Sequence, residues 1–316
     1  MYDRSARSTP DRGRREEASE AISRWIVLAA KILAILVGLA TLTLTPEYPV
    51  ASAAVAGIIL GALFYLDRSM MFRLWASYLL GIVIFTHLRT LADQTMISTK
   101  YQYVIDIDMF LGFGHVPTVW LQDRFFEPGS YSWFDQFMVG IHLSYFVIPY
   151  ALAVMLALLG RSYFARYIVG TLATFYIGLV IYFLVPTSPP WLSSQLGYLP
   201  EVTRILQMFG TGVSPEAYEQ GYRVAGGNDV AAMPSLHFAI TAFIVFAHWS
   251  FGRVYRIIFV IYTALMGLAL VYLAEHYVAD LILGFVVAGA GWRIANWWYD
   301  SFALRGESGS SWSVAR

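Results

Sequence analysis

The sequence predicts an all-α fold, a polytopic membrane bundle of about eight transmembrane helices with short interfacial helices on its outer side. The first observation is composition, since 58% of the 316 residues are hydrophobic and 13% are charged, with a mean hydropathy of +0.58. Soluble chains carry roughly a quarter charged residues. The second is a series of long apolar stretches, and the third is the uneven placement of arginine between them.

Eight stretches approach the length of about 20 apolar residues that a helix needs to cross the hydrocarbon core. They are 24–45, 49–66, 72–91, 136–159, 166–185, 235–251, 254–274 and 278–298. Together they define one transmembrane domain, 24–298, between a basic arm of disordered character, 1–23, and a short tail, 299–316. The absence of cysteine excludes disulfides, zinc thiolates and cysteine nucleophiles.

The basic residues predict the orientation in the membrane. With the arm 1–23 placed in the cytoplasm, 16 of the 21 lysine and arginine residues fall on the inner side. This is the bias of the positive-inside rule, so both termini are predicted to be cytoplasmic. The long connections 92–135 and 186–233 then lie outside, and the apolar, aromatic-rich piece 109–126 is predicted to form short helices along the interface.

The sequence PSLH at 234–237 opens the apolar stretch 235–251. Pro234 suits the first helical position, because its missing N–H has no helical partner there. Ser235 and His237 follow in the first turn, where free backbone N–H groups and the helix dipole attract an anion such as phosphate. We therefore predict a phosphate site at Ser235, with His237 beside it as a proton donor. A plain helix cap is the structural alternative.

His276 and Asp280 stand at the start of the stretch 278–298. On a helix, residues four apart share a face and can form a hydrogen bond. An aspartate that holds one ring nitrogen leaves the other free to attack an electrophile, although a purely structural pair is the alternative. Because both stretches begin at the outer face, His237 and His276 are expected to meet at one depth.

Together, PSLH at 234–237 and the pattern H-x-x-x-D-x-x-x-G at His276, Asp280 and Gly284 resemble the type 2 phosphatidic acid phosphatase (PAP2) superfamily. The resemblance implies that His276 is a nucleophile that forms a phosphohistidine and that Asp280 orients it. It also implies that His237 protonates the leaving oxygen and later deprotonates water or an alcohol acceptor. This mechanism uses no metal or other cofactor.

Two further segments are similar to the inositolphosphotransferase-like branch, which includes inositol phosphorylceramide synthase. They are PTSPPW at 186–191 and the upstream stretch 106–122, and the whole similarity covers about 85–295. The K-x6-R-P motif and the S-R pair of the phosphatase branch do not occur. The resemblance therefore favours transfer of a phosphoalcohol group, with hydrolysis as the alternative.

Without those motifs, other cations must hold the phosphate. Arg223, in the loop before PSLH, and Arg89, at the outer end of the stretch 72–91, are the predicted ligands, with Arg204, Arg124 and Lys100 in reserve. Further outer residues are candidates for binding the substrate or the hydroxyls of an acceptor. They are Asp108, Asp135, His142 and Tyr145.

We thus predict a membrane enzyme that cleaves or transfers a phosphate or phosphoalcohol group on a lipid, at the outer face of a cytoplasmic membrane. Thirteen of the 21 acidic residues lie on the predicted outer side against five basic ones. Such a surface repels soluble polyanions, which excludes nucleic acid as a partner and favours a lipid that arrives laterally. The alternatives are a lipid transporter, a non-catalytic lipid-binding protein and a metal-dependent hydrolase, for which the ligand spacings are poor.

Overall fold

The computed structural model describes residues 28–29, 31–32, 35–36, 49–66, 69–95, 97–224 and 227–303. Side chains are described there except at 49–53, 64–66, 223–224 and 302–303. Over these ranges the regular structure is helical, as predicted. The predicted arm 1–23, most of the tail 299–316 and most of the stretch 24–45 lie outside the described residues.

Thirteen α-helices occur in the described ranges. They are α1 (Pro49–Leu66), α2 (Met70–Arg89), α3 (Gln102–Leu111), α4 (Pro117–Phe125), α5 (Trp133–Ser144), α6 (Ile148–Leu159), α7 (Arg161–Leu184), α8 (Pro190–Gln195), α9 (Ile205–Val213), α10 (Pro215–Val224), α11 (Leu236–Ala247), α12 (Arg253–Tyr272) and α13 (Val278–Trp298). The short helices α3 and α4 confirm helical structure in the predicted piece 109–126, whereas its place along a membrane surface stays a prediction.

Four helical segments are long and apolar enough to cross a membrane. They are Met70–Gln94, Arg161–Leu184, Arg253–Tyr272 and Val278–Ser301. A fifth span results if α5 and α6, which meet at 44°, cross together, and the apolar cores of α1 and α11 are shorter. Among the described residues, four or five of the eight predicted spans therefore reach membrane length.

The helix predicted over 136–159 is broken. Residues Tyr145–Val147 form turns between α5 and α6, with each N–H bonded three residues back instead of four. Pro149 is the second residue of α6 and lacks the N–H that would bond the Tyr145 carbonyl in a continuous helix. The predicted stretch 136–159 is therefore two helices that can cross a membrane together only as a bent pair.

The core lies where α7 and α13 run against each other, with α11 packed on both. Their buried surfaces carry large aromatic side chains, among them Phe164, Tyr167 and Phe243. On the outside of the bundle, apolar residues such as Ile258, Ile261 and Val286 are about half exposed. This arrangement is typical of a lipid-facing surface. The helices α11 and α13 begin at the end where α7 finishes, so their first turns lie together.

The PTSPPW segment fixes the loop that leads into α11. The N–H of Thr187 donates to the Val230 carbonyl at 2.8 Å, and its carbonyl accepts from the Ala232 N–H at 3.2 Å. On its other side, the N–H of Lys100 donates to the Pro186 carbonyl at 2.8 Å. The segment thereby joins the two long connections just before α11 begins.

Candidate active site

His237 and His276 come together at the shared end of α11 and α13. The centroids of their rings are 6.3 Å apart, with an angle of 53° between the ring planes. His237 is the second residue of α11, and His276 lies in the turn that precedes α13. Two imidazoles from segments almost 40 residues apart in the sequence thus stand near each other at one end of the bundle.

The helices α11 and α13 begin later than the sequence predicted. Pro234, predicted as the first helical residue, lies before α11. Ser235 is the N-cap of α11, and its hydroxyl accepts from the Phe238 N–H at 3.4 Å. His276 does not lie on α13, whose N-cap is Tyr277. The hydroxyl of Ser235 can still donate its proton to an anion, so its predicted contact with phosphate remains a prediction.

The predicted contact between His276 and Asp280 is present at 3.2 Å between Nδ1 and Oδ2. It forms because Asp280 reaches back over the start of α13, where the same oxygen accepts from the Tyr277 N–H at 2.9 Å. A carboxylate can only accept, so Nδ1 of His276 is the donor in this contact, and Nε2 carries the lone pair when the imidazole is neutral. Asp280 is fully buried, and its Oδ1 has no hydrogen-bond partner among the described residues.

The two motifs are also joined through the backbone. The N–H of Ser235 donates to the Asp280 carbonyl at 3.1 Å. From α7, the Tyr182 hydroxyl donates to the Pro234 carbonyl at 2.9 Å. These hydrogen bonds hold the first turns of α11 and α13 in a fixed position relative to each other, which fixes the distance between the two histidines.

Three predicted binding residues surround His237. The ring of His142 stacks on it at 4.8 Å, and the ring of Tyr145 lies at 4.1 Å, brought there by the break between α5 and α6. The charge of Arg89 is close enough to act on His237 and Tyr145. Among the described residues, His142 Nδ1, His237 Nε2 and Arg89 Nε are buried without hydrogen-bond partners. Buried polar atoms are normally paired, so this cluster is suited to a polar ligand.

A second cation stands beside His276. Arg204 forms a bidentate ion pair with Glu275, with Nε–Oε1 at 2.8 Å and Nη2–Oε2 at 3.1 Å. Its guanidinium also lies over the rings of Trp191 and Tyr222, at 4.2 and 4.8 Å from their centroids. Arg204 was only a reserve in the sequence-based prediction, because nothing in the sequence connects residues 71 positions apart.

The Arg204–Glu275 pair is ionised. Burial by itself would raise the pKa of Glu275, but the charge of Arg204 and its hydrogen bonds outweigh burial and hold that pKa below its ordinary value. Burial likewise opposes the charge of Arg204, and Glu275 nevertheless raises the pKa of Arg204 above its ordinary value. A fixed guanidinium therefore lies next to the residue that precedes His276.

Comparison with known proteins assigns the family of the chain. The model of the PAP2 superfamily matches residues 102–294, which is more than half of the chain and contains both histidines and Asp280. The chain belongs to the PAP2 superfamily. Phosphoinositol dihydroceramide synthase of Bacteroides thetaiotaomicron is 28% identical over 158 residues, which cover 46% of this chain and 49% of that protein. The chain thus spans about half the length of this curated relative. No solved structure matches this chain significantly.

Asp108, which lies within the PAP2 match, was predicted to bind the substrate or acceptor. The structure instead gives it a role in holding a helix end. It is fully buried, and its two oxygens accept from the N–H groups of Val278 and Ala279 at 3.0 and 2.9 Å. Burial raises the pKa of Asp108 to about 6, against the opposing effect of these backbone donors. Asp108 therefore caps α13 two residues after His276.

The carboxylate of Asp135 is likewise hydrogen-bonded within the protein. Its carboxylate caps its own helix, α5, through Ser132 and accepts a hydrogen bond from the Tyr272 hydroxyl. It is 1% exposed, which leaves no surface for an acceptor. Asp108 and Asp135, predicted as candidates for binding the substrate or acceptor, instead each cap the start of a helix, where carboxylates are favoured.

Gln122, at the end of the upstream stretch 106–122, is a functional candidate that sequence reasoning did not single out. Its Nε2 donates to the carbonyls of Thr203 and Tyr272, both at 2.8 Å, and its Oε1 accepts from the Thr203 N–H at 2.8 Å. Thr203 precedes Arg204, and Tyr272 ends α12. The stretch thus braces both the guanidinium and the turn that carries His276.

A polar cavity of about 540 Å³ opens beside Arg204. Its lining includes the side chains of Gln195, Glu201 and Gln207. Its volume lies in the range of small-molecule sites. Arg204 is shared between this cavity and the ion pair at Glu275, so the cavity adjoins the His276 side of the site. The side chain of Arg223, a predicted phosphate ligand, lies outside the described residues.

The described residues contain no group of three histidine, aspartate or glutamate side chains arranged to hold a metal ion. The catalytic roles assigned to His237, His276 and Asp280 remain predictions, which the geometry makes specific.

Proposed function

We propose that this protein is an integral membrane enzyme that transfers a phosphate-bearing headgroup from one lipid to an alcohol acceptor through a phosphohistidine. The supporting observation is the pair of imidazoles, His237 and His276, 6.3 Å apart at their centroids, with Asp280 on the Nδ1 side of His276. In this proposal, His276 attacks phosphorus and His237 exchanges a proton with the oxygen on the opposite side.

In the first step, Nε2 of His276 attacks the phosphorus atom of the donor lipid. A P–N bond forms and the P–O bond to the departing alcohol breaks, while His237 gives its proton to the departing oxygen. Asp280 accepts a hydrogen bond from Nδ1 throughout, which stabilises the positive charge that develops on the imidazole of His276.

In the second step, an acceptor hydroxyl enters on the side of His237. His237 takes its proton, the new P–O bond forms and the P–N bond to His276 breaks. The same step with water gives hydrolysis. Arg89, on the His237 side, and Arg204, on the His276 side, would stabilise the charge on the phosphoryl oxygens.

Two observations favour transfer over hydrolysis. The curated relative is named a phosphoinositol dihydroceramide synthase, and a synthase joins two parts into a product. The cavity of about 540 Å³ beside Arg204 offers amide and carboxylate groups to a polar headgroup or acceptor. Hydroxyl-rich groups bind such side chains through hydrogen bonds.

We also propose the predicted topology for this enzyme. Eight spans, with both termini in the cytoplasm, place the first turns of α11 and α13 at the outer face of the membrane. The short apolar core of α11 and the bent pair α5–α6 would then be membrane-embedded parts that surround the site. Cysteine-accessibility labelling of an introduced His115→Cys would test it, since labelling from the outside is expected.

The test of the chemistry uses purified full-length protein in liposomes, with a phosphodiester lipid as donor and a lipid alcohol as acceptor. We expect a transferred product, a phosphorylated His276 peptide in quenched reactions, and inhibition by vanadate. His276→Ala and His237→Ala should each lower turnover by at least a hundredfold. His115→Ala, an exposed histidine outside the site, is the matched control and should retain full activity.

Three results would contradict the proposal. Unchanged turnover in His276→Ala or His237→Ala would remove the assigned roles. Movement of intact lipid between leaflets without a chemical product would indicate a transporter. Loss of turnover on treatment with a chelator, restored by a divalent metal, would indicate a metal-dependent hydrolase.

A further inference from the structure

A second polar cavity lies at the opposite end of the same three helices. It has a volume of about 130 Å³ and is formed where α7 begins and where α11 and α13 end. Arg166, Ser250 and Asn296 contribute its polar lining, and Trp292 and two tyrosines complete it. It is separated from the histidines by the length of α11, and the proposed chemistry does not use it.

Arg166 is the side chain that suggests a ligand. Its guanidinium carbon lies over the ring of Tyr299, at 3.9 Å from the centroid. Its Nε is buried and has no hydrogen-bond partner, and no ion pair of Arg166 occurs among the described residues. A guanidinium carries five N–H donors, and leaving a buried donor unpaired is costly. The stack holds the cation in place while its edge remains available to an anion.

The surroundings have the charge that an anion requires. Arg161, Arg253, Arg256 and Arg293 lie at this end of the bundle, and Asp300 is the acidic residue that the structure describes there.

The size of the cavity restricts the ligand. A volume of about 130 Å³ equals that of roughly four water molecules at about 30 Å³ each. It accommodates a phosphate group but no acyl chain. Ser250 is exposed at the rim, so the rest of a larger ligand can extend outwards. Anionic lipids concentrate on the cytoplasmic leaflet, the side to which the arginines assign this face.

We infer that this cavity binds a phosphate group, carried by an anionic lipid headgroup or free in solution, with the unpaired edge of Arg166 as its main ligand. The nearby Asn296 amide contributes a further polar contact. The site is independent of turnover at His276, so its failure would leave the proposed enzyme function standing.

The experiment uses purified full-length protein in a maltoside detergent without phosphate, titrated in separate arms with sodium phosphate, dihexanoyl phosphatidylglycerol and dihexanoyl phosphatidylcholine. Binding is measured by the rise in melting temperature and by the change in tryptophan fluorescence, to which Trp292 in the cavity wall contributes. We expect phosphatidylglycerol to bind more tightly than phosphatidylcholine. If sodium phosphate gives the same response as phosphatidylglycerol, the free anion is sufficient for binding. If sodium phosphate gives no response, the ligand is the lipid headgroup.

Arg166→Gln should weaken the apparent affinity at least tenfold, whereas Arg253→Gln, an exposed arginine of the same face, should change it less than twofold. If Arg166→Gln does not fold, Ser250→Phe, which fills the rim of the cavity and retains Arg166, should give the same loss. Binding that survives both Arg166→Gln and Ser250→Phe, equal losses in Arg166→Gln and Arg253→Gln, or no binding in any arm would overturn the site.

Discussion

Gly284 lies in direct contact with the backbone of Ser235, and a Cβ atom at position 284 would stand 2.7 Å from the Ser235 carbonyl oxygen. Real Cβ atoms do not approach a backbone oxygen so closely, so α11 and α13 can meet here only around glycine. The last letter of the H-x-x-x-D-x-x-x-G pattern therefore has a physical reason. It sets the distance between the helix that begins beside His237 and the helix that follows His276.

Gly284→Ala should accordingly reduce turnover by tenfold or more. The methyl group must push the first turn of α11 away, and a displacement of reacting groups by about 1 Å can cost a hundredfold in rate. The measurement is kcat in detergent, with melting temperature alongside. Gly289→Ala is the matched control on the same helix, because a Cβ there meets nothing within 4 Å. Equal activity in both variants would mean that the contact is irrelevant to catalysis.

The ion pair between Arg204 and Glu275 predicts a coupling that can be measured. Removing one partner of a buried pair leaves an uncompensated charge, at a cost of about 3 kcal/mol or more. In Arg204→Gln, the remaining carboxylate would also repel the phosphate substrate beside His276. We expect a large rise in KM and a loss of stability in that variant.

The double variant with Arg204→Gln and Glu275→Gln should recover part of both losses, because it removes the unpaired charge. A coupling free energy of about 1 kcal/mol or more is expected from the complete mutant cycle. Arg124→Gln, which removes an exposed arginine stacked on Trp120, serves as the control. Additive effects of the two single substitutions would contradict the assigned pairing.

The features that could be predicted from the sequence are the local ones. His276 and Asp280 are four residues apart, and Ser235 follows a proline at the start of an apolar run, so their contacts depend on short-range geometry. The break at Pro149 within the predicted stretch 136–159 did not follow from the sequence, because one proline can either kink or end a helix.

The features that could not be predicted join distant segments. Asp108 caps a helix 170 residues away, and Arg204 pairs with Glu275 across 71 residues. The sequence around Asp108 or Arg204 does not indicate these contacts, since charged side chains such as these are usually solvated. The similarity of 106–122 to one PAP2 branch indicated that the stretch is important for function. The physical reason is the set of hydrogen bonds from Gln122 to Thr203 and Tyr272, which join segments distant in the sequence.

Gln122 provides a test of that brace. Gln122→Leu would leave the carbonyl of Tyr272 and the N–H and carbonyl of Thr203 without their partner, and each unpaired buried group costs about 1–3 kcal/mol. We expect a loss of at least about 2 kcal/mol in unfolding free energy, together with a lower kcat. Gln102→Leu, at an exposed position of α3, should stay within about 0.5 kcal/mol of the wild-type protein. Similar stabilities for the two variants would show that the brace contributes little.

Asp108 predicts a pH dependence of stability with a defined sign. Burial raises its pKa from the ordinary 3.8 to about 6 in the folded protein. Between about pH 4 and pH 6, the folded state therefore binds the proton more strongly than the unfolded state does. The unfolding free energy must fall as pH rises through this window, by up to about 1.4 kcal/mol per pH unit. Above the window the contribution becomes constant.

The measurement compares unfolding free energies of the wild-type protein and Asp108→Asn at pH 4, 5, 6 and 7. The difference between them, wild type minus variant, should decrease from pH 4 to pH 6 and then level off, because asparagine does not titrate. Asp106→Asn removes an exposed carboxylate of the same helix and should show no such window. A difference that increases with pH would mean that the N–H groups of Val278 and Ala279 outweigh burial, so that the pKa of Asp108 is lowered and the cap is strongest when charged.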